Sequence, residues 1–136
     1  MKLVPFDPDD AEAMVALLAL YESWGHPEAC PSPDELPDVG FIVPGVAAMF
    51  LYEVNANWCL LEHAITMHHH PDRQEAIHAL VEGLMVEAKE LGFAKVYVNV
   101  GNEAAIARAE ACGFVKKGEP YRCQLEREVD YGEEQL

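Results

Sequence analysis

The segment from Pro71 to Phe114 limits the fold of this chain more than any other part of its sequence. Asp72 stands at a helix N-cap position, apolar residues recur behind it at helical spacing, and Gly92 offers a C-cap. The run Lys95–Val100 alternates and is β-branched, as a buried strand is, and a second capped helix follows it. One more strand on each side would complete a βαβα unit, whose short loops force parallel pairing with right-handed crossovers.

Weaker patterns predict one more helix and several strands. The helix starts within Asp7–Asp10, with Pro8 at its first helical position, and runs to Trp24. The acidic, proline-rich stretch 26–40 follows, with one helical turn near 33–36. The other strands are predicted at 2–6, 41–43, 46–54, 58–67, 114–117 and 121–126, with hairpins turning at 55–57 and 118–120.

Length and composition predict one domain, 1–136, because 136 residues that are 51% apolar can enclose a single core. No apolar run approaches the roughly 20 residues that span a bilayer. The first seven residues also lack the apolar stretch of a signal peptide, so we expect a cytoplasmic protein that does not enter a membrane. The four cysteines show no CxxC spacing, which favours reduced thiols over a disulfide framework or a cysteine zinc site.

The charge is strongly acidic, with 24 acidic against 9 basic side chains and a net charge of −15. The field of such a protein repels phosphate, which argues against nucleic acid or an anionic membrane as a partner and favours a cationic one. The acidic excess also has a plainer explanation, because it keeps a small protein soluble.

Two stretches of the sequence resemble the GNAT superfamily, the acetyl-CoA-dependent N-acetyltransferases. The matching residues are Ala88-Lys89-Glu90-Leu91-Gly92-Phe93, then Asn102, Ala105 and Ile106, with Gly113-Phe114 eleven and twelve positions after the asparagine. The resemblance extends over nearly the whole chain, and short divergent members of this kind occur in bacteriophages. The chain departs from the family at the pyrophosphate loop, normally Arg/Gln-x-x-Gly-x-Gly/Ala, because neither 72–77 nor 73–78 contains a glycine.

The resemblance implies an α/β fold with a mixed, splayed sheet and helices on both faces, and acetyl-CoA as the cofactor. In such a fold the pantetheine arm pairs with the strand backbone, and the pyrophosphate lies at the start of the following helix, where free N–H groups and the helix dipole favour an anion. The implied cofactor-binding residues are Ile65, Thr66, Met67, His68, Arg73, Gln74, Glu75, Ala76, Ile77, His78 and Asn102. Asn102 is equally well explained as a helix N-cap alone.

Glu62 is the candidate catalytic base, since it is the charged residue inside the apolar run 58–65. Burial of a carboxylate there would raise its pKa toward the working pH, as a base for an ammonium substrate requires. The resemblance implies the same role, because GNAT enzymes often carry a glutamate base on this strand. The alternative is a strand with one wet end, where Glu62 pairs with His63 or Arg73.

A general acid for the leaving thiolate is often, in this family, a tyrosine seven residues after the asparagine, where this chain has Ala109. Tyr97 and Tyr121 are the substitutes, and each is also explained by packing. Without either of them, water must protonate the thiolate.

Three consecutive histidines, His68–His70, follow Glu62 and His63. Strand alternation would place Glu62 and His68 on one face, with His63 and His69 on the other. Imidazoles and a carboxylate suit zinc or nickel, but adjacent strand residues face opposite ways, so at most two of the triplet converge. The cluster therefore has three interpretations: a solvated strand end, an acceptor or proton-shuttle site, and a metal site. Of these we do not predict the metal site.

These observations predict an acetyl-CoA-dependent N-acetyltransferase that acts on a cationic amine, either a polyamine or a protein lysine. The alternative is a catalytically silent GNAT-fold protein that binds a partner protein, for example a host factor, through its acidic surface. The missing loop glycines and tyrosine favour the alternative, whereas Glu62 and Asn102 favour the enzyme.

Overall fold

The computed structural model describes residues 1–117 and 123–132. The helices are α1 (Ala11–Ser23), α2 (Arg73–Glu90) and α3 (Glu103–Ala111), and single 3₁₀ turns lie at Pro27–Ala29 and Pro33–Glu35. The strands are β1 (Val4–Pro5), β2 (Val39–Val43), β3 (Ala47–Glu53), β4 (Trp58–Thr66), β5 (Lys95–Val100), β6 (Val115–Lys117) and β7 (Cys123–Glu128). The turn predicted at 118–120 lies outside the described residues.

The strands form one mixed sheet in the order β1-β2-β3-β4-β5-β7-β6. Strand β5 pairs in parallel with β4, from Trp58↔Lys95 to Leu61↔Val98. The other pairings in the described register are antiparallel, including β5 with β7. The parallel pairing predicted from the helix–strand–helix segment is therefore confirmed, as is the α/β fold class with a mixed, splayed sheet.

Most capping residues begin or end the helices where the sequence predicted. Asn102 caps α3 by accepting a hydrogen bond from the Ala105 N–H, and Gly92 and Gly113 have the left-handed φ values, 87° and 89°, that follow a helix. The start of α1 was predicted wrongly. Its N-cap is Asp10, which accepts from the Glu12 N–H, so Pro8 lies in the turn before the helix.

The chain divides into two compact units. The first comprises Met1–Leu51 and His63–Leu84, and the second comprises Tyr52–Glu62 and Met85–Leu136. In the first unit the ring of Phe6 meets that of Phe50 edge-on at 5.1 Å, and the largest fully buried side chains are Phe50, Leu17, Leu20, Leu80 and Leu84. In the second they are Leu125, Val96 and Cys59.

The cysteines that the structure describes agree with the expectation of reduced thiols. Cys30, Cys59 and Cys112 form no disulfide in the described part of the chain. Burial raises the pKa of Cys59 to about 12, so this thiol stays protonated at neutral pH. None of the helices in the described part of the chain is long and apolar enough to cross a membrane.

Gly40 in β2 lies directly opposite Phe50 in β3, and the absence of a side chain at Gly40 makes room for the phenyl ring. A Cβ at Gly40 would meet the Phe50 ring, including Cε1 at 2.8 Å. Because Phe50 is fully buried and also packs on Phe6, its ring has little space into which it can move.

We expect Gly40→Ala to lower the free energy of unfolding by about 1–3 kcal/mol, through overpacking of this core. Gly101→Ala is the matched control, because a Cβ there has no atom within 4 Å. Urea denaturation of the three proteins measures the difference. Equal stability of Gly40→Ala and the parent would show that the ring and the strand shift without cost.

Candidate functional site

Between two hydrogen bonds that join β3 and β4, the β4 side advances one residue more than the β3 side, which is a β-bulge. The Trp58 carbonyl accepts from the Val54 N–H, and also from the Asn55 N–H in the turn, while the Met67 N–H donates to the Val46 carbonyl at the far end. From Val46 to Val54 the chain advances eight residues, whereas from Trp58 to Met67 it advances nine. His63 is the β4 residue with a left-handed φ, 55°, which places the bulge beside Glu62.

Glu62 follows the last residue of β4 that pairs with β5. Beyond Leu61↔Val98 that pairing stops, while β5 stays paired with β7 as far as Val100. Glu62 is half-buried, and within the described residues its carboxylate has no hydrogen bond or ion pair. The pairing with His63 or Arg73 that we considered is therefore not formed, and the carboxylate is available to a ligand.

The C-terminal end of α1 holds the end of β4 and the turn that follows it. The indole Nε1 of Trp24 donates to the Thr66 carbonyl at 2.6 Å. The His68 N–H donates to the Ser23 hydroxyl oxygen at 2.9 Å, and this hydroxyl in turn donates to the Leu20 carbonyl. Sequence reasoning did not find Ser23 or Trp24, since no local pattern connects a helix end with a strand more than forty residues away.

The histidine triplet is not part of the strand, so the predicted alternation of His68, His69 and His70 over two faces is wrong. Strand β4 ends at Thr66, and His69 has a left-handed φ of 62° in the turn that follows. The rings of Trp24 and His68 lie 4.1 Å apart, and those of His68 and His69 lie 3.8 Å apart. No group of three potential metal ligands occurs among the residues that the structure describes.

The start of α2 is held by His70. The Asp72 N–H donates to His70 Nδ1 at 3.1 Å, and Arg73 Nη1 donates to the His70 carbonyl at 2.9 Å. The amides of Gln74 and Glu75 have no acceptor in the described part of the chain. Two free N–H groups at a helix start can hold an anion, although the exposed carboxylates of Asp72 and Glu75 oppose it.

The other predicted cofactor residues of this helix differ in their surroundings. Ala76 is fully buried, and its N–H already donates to the Asp72 carbonyl at 2.9 Å. Its methyl group therefore packs in the core of the first unit. Ile77 is half-buried, and His78 is exposed.

Tyr97 belongs to a hydrogen-bonded group in the second unit. Its hydroxyl donates to Glu126 Oε1 at 2.7 Å, and Lys95 Nζ lies 3.2 Å from the same oxygen. The hydrogen bond to the Glu126 carboxylate, followed by burial, raises the pKa of Tyr97, so the phenol keeps its proton at neutral pH. The Trp58 ring packs edge-on against Tyr97 at 4.8 Å. Tyr121, the other candidate acid, lies outside the described residues.

Two carboxylates in the stretch 26–38 are held in the ionised state. The Ser32 N–H and hydroxyl both donate to Glu35 Oε1, at 3.0 and 2.9 Å, and with a smaller contribution from His63 they lower the pKa of Glu35. A backbone hydrogen bond and His26 lower the pKa of Glu28. The first unit therefore carries fixed negative charge in the segment between α1 and β2.

Comparisons with known proteins find similarity in structure and none in sequence. No protein-family model matches the chain, and no curated protein matches it significantly. Solved structures match over nearly its whole length. One is the aminoglycoside 6'-N-acetyltransferase from Enterococcus faecium, with a TM-score of 0.77 and 12% identity over 96% of this chain and 98% of that one.

Two further solved structures are similar to this chain over nearly its whole length. An aminoglycoside 6'-N-acetyltransferase complexed with coenzyme A has a TM-score of 0.77 at 13% identity, over 96% of this chain and 98% of that one. The ribosomal-protein-S18-alanine N-acetyltransferase from Escherichia coli has a TM-score of 0.72 at 16% identity, over 99% and 97%. The chain therefore has the GNAT fold, as the sequence resemblance predicted.

Proposed function

Because the chain has the GNAT fold, we propose that it is a single acyltransferase domain that moves an acetyl group from acetyl-CoA to a cationic amine. The observation that carries the proposal is the open edge of β4. Pairing with β5 stops at Leu61, yet the strand continues to Thr66, so backbone groups of Ala64 and Thr66 on that edge are left for a ligand. The amide-containing arm of coenzyme A is a ligand that pairs with such an edge.

The start of α2 fits the pyrophosphate only through its backbone. Gln74 and Glu75 supply two free N–H groups, and the helix dipole adds a favourable field. Arg73 contributes little directed charge, because its Nη1 already donates to the His70 carbonyl. We therefore expect binding to be weaker than at a glycine-rich loop, where the phosphate approaches the backbone more closely.

Two proton transfers must accompany the reaction that we propose. Acetyl-CoA supplies an acetyl thioester, and the attacking amine must first lose a proton. Glu62 accepts that proton, directly or through one water, because its carboxylate is half-buried and has no partner in the described part of the chain. The thiolate that leaves takes a proton from the Tyr97 hydroxyl or from water. The raised pKa of Tyr97 makes it a weak acid, so water is the stronger competitor.

The acceptor that we propose is an amine such as a polyamine or a protein lysine. The net charge of −15 attracts such a molecule, and Glu28 and Glu35 remain ionised at neutral pH. The solved structures with this fold are named for both a small molecule and a protein as acceptor. The acceptor test must therefore include both classes.

Calorimetric titration with acetyl-CoA tests the proposal. We expect saturable binding with a dissociation constant of roughly micromolar order, and acetylation of spermidine or of a lysine peptide under the same conditions. Absence of any heat at millimolar acetyl-CoA would refute the enzyme.

A catalytically silent protein is the second candidate, and the acidic start of α2 favours it. Asp72 and Glu75 place two exposed carboxylates where the family's loop binds a polyanion. In that case the acidic surface binds a basic partner protein. The same titration separates the candidates, because this one predicts no binding of acetyl-CoA.

A further inference from the structure

Trp24 makes a contact that its position at the end of α1 does not require. Its indole N–H donates to the Thr66 carbonyl at 2.6 Å, although the side chain is 43% exposed and could direct its N–H to water. Thr66 is the last residue of β4. The indole therefore occupies the final acceptor of the strand that carries the proposed ligand edge.

The geometry of the peptide group shows which edge this is. The Thr66 carbonyl and the Met67 N–H belong to one trans peptide, so they point in opposite directions. The Met67 N–H donates to Val46, beside β3, at 2.7 Å. The Thr66 carbonyl thus points away from β3, toward the open edge, and Trp24 is bonded to that edge.

The indole is held in this place from two sides. Its ring stacks on His68 at 4.1 Å, and the His68 N–H donates to the hydroxyl of Ser23, the residue before Trp24. By strand alternation the N–H of Thr66 and both backbone groups of Ala64 also face the open edge. Trp24 donates its hydrogen bond to the last acceptor on this edge, the Thr66 carbonyl, and leaves those three groups for a ligand.

We propose that Trp24 is a positioning residue, which fixes the register in which the amide arm of coenzyme A pairs with β4 at Ala64 and Thr66. This inference rests on the proposed function. Without the indole N–H, the end of β4 loses the hydrogen bond that holds it in place, and the arm must order these residues as it binds. Acetyl-CoA is then bound less tightly, whereas the acceptor amine is bound as before.

Trp24→Phe tests the role, because it keeps an aromatic ring against His68 and removes the donor. We expect the dissociation constant and the KM for acetyl-CoA to rise by up to about tenfold, because ordering the strand end costs at most what the lost hydrogen bond contributed, and we expect the acceptor KM to stay unchanged. Tyr131→Phe is the matched control. Its hydroxyl also donates a single 2.6 Å hydrogen bond to a carbonyl, that of Phe93, and its loss should change the acetyl-CoA affinity by less than about twofold.

A second measurement leaves Trp24 intact. The chain has two tryptophans, so in Trp58→Phe the fluorescence reports Trp24 alone, and we expect it to change as acetyl-CoA is added. If the wild type binds acetyl-CoA and Trp24→Phe binds it with equal affinity, the positioning role is wrong and the proposed function still stands. The same holds if the wild type binds and the fluorescence of Trp24 does not change. Absence of binding by the wild type would remove both.

Discussion

Glu62→Gln is expected to lower turnover of an acetylated amine by about 10²–10⁴-fold, while the dissociation constant for acetyl-CoA stays nearly unchanged. Glutamine keeps the shape of the side chain and cannot accept the proton of an ammonium substrate. The half-buried carboxylate has no partner in the described residues, so the substitution breaks no internal hydrogen bond and should preserve the fold. Steady-state kinetics at saturating amine, together with calorimetry, measure the two quantities.

Glu53→Gln is the matched control for this experiment. Glu53 is an exposed carboxylate at the end of β3, so its replacement changes the net charge equally and leaves the proposed base in place. Turnover of Glu62→Gln equal to that of the parent would assign Glu62 to structure alone.

The second large effect is expected at the start of α2. Replacement of Asp72 by Asn and of Glu75 by Gln removes two exposed carboxylates beside the free amides of Gln74 and Glu75. Repulsion between two exposed unit charges a few ångströms apart is worth roughly 1 kcal/mol or less in water, so we expect the double variant to bind acetyl-CoA up to about 30-fold more tightly at low salt. The gain should shrink at high salt, where screening is strong.

Glu12→Gln is the control for net charge. It also removes a carboxylate from the first turn of a helix, but that helix is α1 and not α2. This substitution should leave the affinity nearly unchanged. His78→Gly adds a steric test at the exposed position, whereas Ala76 must be kept because its methyl group lies in the core. Glycine at position 78 weakens helix α2, so binding is compared only on protein that is shown to be folded. Equal affinity of parent and double variant would show that phosphate does not bind at this helix.

The sequence predicted most elements because local signals agree with the tertiary structure in this chain. Asn102 with Gly113 delimits α3, and the run Lys95–Val100 forms β5 at the predicted residues. The parallel pairing of β4 and β5 followed from the length of the connection alone. Pro8 was misplaced because two aspartates compete for the cap of α1, and the choice of Asp10 depends on the bond to the Glu12 N–H.

The candidate site was less predictable, since its contacts join distant residues. The extra residue in β4 has no clear local signature, because histidine adopts a left-handed φ far less readily than glycine. The contacts of Trp24 with Thr66 and of Tyr97 with Glu126 join residues 42 and 29 positions apart. The proposed role of Glu62 follows both from its apolar surroundings in the sequence and from the resemblance, and Glu62→Gln tests it.

The bulge at His63 also separates β4 into two halves that can change independently during evolution. In a regular strand, a shift of one position turns every later side chain to the opposite face. Here the bulge absorbs such a shift, so a one-residue deletion at position 63 would bring the β4 ladder back into step with β3. It would leave the faces of residues 64–66 unchanged, because these residues keep their partners in β3. Relatives that lack the extra residue should therefore keep the same turn at 54–57 and the same polarity pattern in the last residues of the strand.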